Sequence, residues 1–172
     1  MTLREEQQLM LRLLKNKSSP EGESNSTFLN KLKFQKDIIV WWRCFQFEHW
    51  LILTSKILKD NKLFEPLVLS FYEQNNISSY PAEAGEQFAK YIHNQPIHPI
   101  IKSVVALELA LIKLKDLGRT DEYRIQWNQP PFHFLDALLN GHEYRLDAEG
   151  SIQYEMIVSN QVVGKMVVHA LN

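Results

Sequence analysis

Apolar residues recur at helical spacing through most of the first 118 positions and then give way to the two-residue alternation of strands, with Gly118 at the change. Thr2 and Glu5 form a capping box ahead of Leu3, Leu9, Leu11, Leu13 and Leu14, which predicts a helix through about Lys15. Residues 17–26 contain Pro and Gly and nothing apolar to bury, so they read as a loop. The helical pattern over 27–60 is longer than an ordinary globular helix and predicts a bend or break. Helices over 63–74 and 81–93 follow, the second opened by Pro81 in its first turn. Over 99–117, Ile100, Val104, Leu107, Leu111 and Leu114 form one seam that Ile101, Val105, Ala110 and Ile112 widen. A helix so nearly apolar all round is expected at the centre of a bundle, with Gly118 ending it.

Beyond Gly118 the pattern predicts strands over 123–127, 144–146, 152–158 and 162–168, and a short helix over 130–139 opened by Pro130 and Pro131. The connections 147–150 and 159–161 are short enough for antiparallel neighbours, so 144–168 reads as a three-stranded meander with 123–127 added beside it. Within it, Tyr154, Met156 and Val158 alternate with Gln153, Glu155 and Ile157, and Val162, Met166 and Val168 share one face. The expected fold class is α+β. A helical bundle domain occupies 1–118, and a small antiparallel sheet domain with one short helix occupies 119–172.

A length of 172 residues, 45% of them hydrophobic, suffices for a core without metal or disulfide. The single cysteine, Cys44, excludes an internal disulfide, and the first residues lack a secretory apolar run; both favour a reducing cytoplasm. The longest apolar stretch, 38–53, is interrupted by Arg43 and Glu48, so no membrane span is expected. The net charge of -1 hides an asymmetry, because fifteen basic and thirteen acidic residues precede position 119 while four basic and seven acidic ones follow. Lys31, Lys33, Lys36, Arg43, Lys56, Lys59 and Lys62 would make a phosphate-binding stripe were Asp37, Glu48 and Asp60 not among them, and a solvated face is the plainer reading.

No set of residues makes a complete catalytic site. The six glycines never cluster, which leaves neither a phosphate loop nor a dinucleotide turn. The six histidines are scattered without an i, i+4 pair, and His93 and His98, which straddle Pro96, read as loop residues before they read as metal ligands. Cys44, among Trp and Phe, is expected to be an inert small apolar group. Glu108 stands inside the most apolar helix, where a carboxylate needs a charge-assisted hydrogen bond from an Arg or from the free amides of a neighbouring helix; its role is structural rather than catalytic. Trp41, Trp42, Phe45, Phe47 and Trp50 cover more than one face of their helix. Core packing explains such a cluster, and an interface at one edge of it, through Trp41, Trp42, Arg43 and Trp50, is the sharper alternative.

Residues 80–92, YPAEAGEQFAKYI, followed after a Pro-containing loop by 99–111 with ALELAL at 106–111, resemble the helical domain of a bacterial family whose members often carry a DNA-binding label. The layout is similar to that of the MbnC-like partner subunits of methanobactin-type multinuclear-iron TIM-barrel oxidases. The likeness covers about half the chain. It implies a subunit that is no enzyme by itself and holds no cofactor, the iron lying in the TIM-barrel partner. Such a subunit binds the leader of a short Cys-containing precursor peptide, whose cysteines become oxazolone and thioamide groups in the biosynthesis of a copper chelator.

The terminal sheet offers a physical route to peptide recognition, since an unpaired strand edge can accept an extended chain. The last strand is the expected edge, through Val162, Val163, Lys165 and Val167, with Trp127 and Phe134 as apolar contacts nearby. A proline at Val163 or Lys165 would then abolish peptide binding. The acidic excess there would attract a basic leader and repel nucleic acid. The sheet as a mere cap on the bundle, a DNA-binding regulator and an independent enzyme are the competing readings.

Overall fold

The computed structural model describes residues 26–115, 121–146, 153–160 and 166–171, with side chains from 33 onward. The expected helix over 1–15, the loop up to residue 25, Gly118 and Ile152 lie outside the described residues. Six helices and three strands follow in the order α1 (Ser26–Trp50), α2 (Ile52–Asp60), α3 (Phe64–Gln74), α4 (Pro81–His93), α5 (Pro99–Leu114), β1 (Glu122–Trp127), α6 (Pro131–Asn140), β2 (Gln153–Ser159) and β3 (Met166–Leu171). The chain is thus an α+β protein, with most of its helices ahead of a small antiparallel sheet.

Local chemistry explains the helix ends. Pro81, Pro99 and Pro131 each stand in a first turn, where the missing amide costs nothing. The Nδ1 atom of His98 accepts the Ile100 amide at 3.3 Å, capping α5. Gly141, at φ 70°, takes the left-handed position after α6 and lets the His142 amide return to the Ala137 carbonyl at 2.9 Å. The break expected within 27–60 falls at Leu51, which is fully buried. Leu51 brings no capping side chain to α2, and the carboxylate of Glu108 on α5 serves instead.

The helices enclose stacked rings. Phe47 of α1 lies parallel to Phe88 of α4 at 4.4 Å, and Phe71 of α3 meets Phe88 at 5.3 Å. Buried residues of α5 carry this core without interruption to Ile125 and Trp127 of β1 and Met156 and Val158 of β2. The sheet order is β1-β2-β3, with Ile125 opposite Met156 and Met156 opposite Val168. Tyr123, Ile125 and Trp127 therefore share the core-facing side with Tyr154, Met156, Val158, Met166 and Val168. Met166 and Val168 sharing a face agrees with the alternation in the sequence.

The sheet corrects one expectation. Residues 144–146 form no strand, and β1 takes the place beside β2 that the meander gave them. Tyr144 is drawn away by side-chain contacts, lying edge-on to Phe134 at 5.0 Å and donating its hydroxyl to Asp60 Oδ2 at 2.9 Å. These bonds tie the segment after α6 to the end of α2, where no strand is available for pairing.

Candidate functional site

Two surfaces of the described residues bear on the sites expected from the sequence: the β3 edge and the outer side of α1. β1 and β3 are both edge strands, but their environments differ. On the β1 side, Ser103 Oγ of α5 donates to the Gln126 carbonyl at 2.6 Å, so the helix engages one carbonyl of that strand. β3 is joined to β2 alone, and among the described residues it makes no other hydrogen bond. In an antiparallel pair, alternate residues direct their amide and carbonyl away from the partner strand, so those groups of β3 have no partner among the described residues. Its side chains are also the least covered of the sheet, with Met166, His169, Ala170 and Leu171 exposed.

Of the residues expected to bind peptide, Val167 lies on β3, half-buried and on the side of the sheet away from the core. Val162, Val163 and Lys165 lie outside the described residues. Trp127 and Phe134 are placed elsewhere than expected. They are 2% and 3% exposed, they meet each other at 6.2 Å beneath the β1 side, and β2 stands between Trp127 and β3. Alternation in the sequence marked Trp127 as one-sided without saying which layer would cover it. The outer side of the sheet carries Glu122, Arg124 and Glu155, with Arg124 bridging both acids at 3.0 and 3.5 Å.

The aromatic region of α1 divides in two. Trp41 and Trp42 are exposed and stack with Phe45 at 5.9 and 5.6 Å, and Phe34 and Ile38, also exposed, continue the stripe one and two turns earlier. Arg43 faces another way, its Nη1 donating to Gln46 Oε1 at 3.1 Å and to the Ser78 carbonyl at 3.3 Å, which braces the approach to α4. Trp50 leans on α4, where its Cβ lies 3.6 Å from the place a side chain on Gly85 would occupy. The four residues expected to form one interface thus belong to two directions. Phe34 and Ile38 were missed because they stand apart from the Trp cluster, although their i, i+4, i+7 spacing to Trp41 was present in the sequence.

Beside this stripe, between α1 and α3, runs an open groove of about 970 Å³ lined by Lys33, Asp37, Trp41, Cys44, Phe45 and Leu69, among others. Burial, then the nearby carboxylates of Glu65 and Glu48, push the Cys44 thiol up to about 11 against the opposing pull of Lys59. A thiol held protonated is a poor nucleophile. Three residues of the basic stripe read from the sequence are engaged: Lys36 pairs with Glu73 at 2.9 Å, Lys59 with Glu48 at 2.7 Å, and Arg43 is committed as above.

Glu108 meets the description of a rescued carboxylate. Its two oxygens accept the Leu53 and Thr54 amides, each at 2.9 Å, at the N-terminus of α2. Burial raises its pKa above the ordinary carboxylate range, while the amides of Thr54 and Leu53 oppose that shift. Burial likewise pushes the Tyr144 hydroxyl up, reinforced by its bond to Asp60. Among the described residues, no group of three His, Cys, Asp or Glu side chains is arranged to hold a metal, and no helix is long and apolar enough to cross a membrane. His98 is occupied as a cap and His93 is exposed at the end of α4. No protein-family model, curated protein or solved structure matches the chain.

Proposed function

We propose that this chain is the noncatalytic, peptide-recognising subunit of a heteromeric oxidase of the methanobactin type, working in the cytoplasm. It holds the leader of a ribosomally made precursor so that the precursor's cysteines reach the multinuclear iron of a TIM-barrel partner, where they become oxazolone and thioamide groups. The observation that carries this reading is the contrast between the two sheet edges. β1 has its Gln126 carbonyl engaged by Ser103, whereas β3, among the described residues, pairs on one side only and is exposed along most of its length. An extended leader added to β3 gains backbone hydrogen bonds, and alternate side chains supply selectivity. The acidic excess beyond position 118, seven acidic against four basic residues, favours a leader with basic residues.

The test is a titration of the full chain with a short Cys-containing precursor encoded beside an iron TIM-barrel oxidase. Proline is placed in turn at Val167, Val168 and His169. Strand addition divides these variants by alternation: where the lost amide faced outward, peptide affinity falls at least tenfold with the fold intact, and where it faced β2, stability falls instead. Equal affinity in every folded variant counts against the reading. Turnover by the isolated chain does so too.

A further inference from the structure

We propose that residues 3–14 of this same chain cover the apolar stripe of α1, folding back as a helix antiparallel to it. Phe34, Ile38, Trp41 and Phe45 succeed one another at steps of four, three and four, a seam that keeps to one side of a helix. Phe34 is 66% exposed and Trp41 65%, with Trp42 exposed beside them, where a solvated helix face would carry charge. The groove between α1 and α3 continues this surface sideways through Val40, Cys44 and Leu69.

The occupant follows from what precedes the stripe in the chain. Residues 1–25 lie outside the described residues and lead directly into α1 at Ser26, so the leucines read from the sequence are tethered beside the surface that lacks a cover. Leu3, Gln7, Met10 and Leu14 repeat the steps of four, three and four. Both seams therefore have the same length, about 17 Å of helix. Laid antiparallel, Leu14 meets Phe34, Met10 meets Ile38 and Leu3 meets Phe45. That register also places the remaining leucines, because the hand of the helix sends Leu9 and Leu13 to the α3 side, over the groove, and Leu11 to the Trp42 side. Residues 16–25 reach about 33 Å when extended. The turn back must cover about 12 Å along α1, from Ser26 to Phe34, and the roughly 8–10 Å between packed helices, so the tether has length to spare. Such a tether holds the leucines at a high local concentration, an advantage that a separate molecule lacks. This cover stands on α1 and the residues before it and does not depend on what β3 binds.

The experiment is hydrogen exchange on the full chain, diluted until sedimentation gives one copy. The expected result is that the amides of residues 5–14 exchange about tenfold or more slowly than in the unfolded chain, and that Trp41→Glu returns them to the unfolded rate while β1 and β2 keep their protection. A second measurement reads the register. In a Cys44→Ser chain, Leu14→Cys with Phe34→Cys closes a disulfide under mild oxidation and Leu3→Cys with Phe34→Cys does not, since closure needs the two Cα atoms within about 7 Å. Exchange of residues 5–14 at the unfolded rate overturns the inference, as does protection indifferent to Trp41→Glu or equal closure of the two cysteine pairs. It is overturned equally by protection that appears only when two copies associate, or only when an iron oxidase is added.

Discussion

Glu108 and Thr54, 54 residues apart in the chain, meet at 2.9 Å, with the carboxylate of one capping the helix that the other begins. The Leu53 amide takes the second carboxylate oxygen at the same distance. α5 thereby fixes where α2 starts, a task Leu51 cannot perform with an apolar side chain. Glu108→Ala leaves two buried amides unpaired and is expected to cost about 3 kcal/mol, with Glu108→Gln costing about half as much. Urea unfolding measures both, and an alanine variant within about 1 kcal/mol of the native chain contradicts this role.

The same carboxylate gives stability a pH dependence. Burial raises the folded pKa of Glu108 above its unfolded value, so the folded state binds this proton more tightly than the unfolded chain. Its contribution is therefore full below about pH 4.3, the unfolded value, and is lost as the pH rises through the folded one. The stability difference between the native chain and Glu108→Gln should shrink from acid towards neutral pH. Urea titrations at a series of pH values check the sign, and a difference that grows with rising pH refutes it.

Gly85 lies buried inside α4, and a Cβ there would meet Trp50 Cβ at 3.6 Å, an ordinary contact. Gly85→Ala should therefore stabilise the fold by about 0.5–1 kcal/mol, through the lower backbone entropy of the unfolded chain and the added contact. A leucine at the same place would displace Trp50 and lower the melting temperature. Thermal unfolding of the two variants distinguishes the outcomes by sign.

Cys44 is expected to alkylate slowly. With its thiol held near 11, the thiolate fraction at pH 8 is far below that of an unfolded cysteine, and the greater basicity recovers only part of the lost rate. Iodoacetamide should react about tenfold more slowly with the folded chain than with the chain in urea. Equal rates would remove the burial argument.

Ser103→Ala removes the hydroxyl that joins α5 to the Gln126 carbonyl at 2.6 Å and leaves that carbonyl without this donor. The expected cost is about 1–2 kcal/mol. Hydrogen exchange should quicken in β1 while the amides linking β2 to β3 keep their protection. Uniform loss across the sheet would indicate general unfolding instead.

The elements with strong local signals were legible in the sequence. Pro81 and Pro99 mark helix starts to the residue, and the apolar seam of α5 identified the helix that touches both the other helices and the sheet. Glu108 was recognisable as a carboxylate in need of compensation, from an Arg or from helix amides, and the amides of Leu53 and Thr54 supply it. What alternation could not convey was cover. Trp127 and Phe134 read as accessible beside a sheet, and α5 and α6 bury them. Trp41 and Trp50 read as one cluster, yet a helix apolar on several sides sends them to different neighbours. Tyr144 carries a strand-like residue type in a segment that its bond to Asp60 holds elsewhere.

The hold of Ser103 on Gln126 also bears on how this molecule avoids runaway assembly. A sheet bare on both flanks can join copy after copy into a fibre, since each newcomer exposes the same acceptor it has just used. Here one carbonyl of β1 is already taken by the chain's own helix, which makes that flank the poorer acceptor for a joining strand.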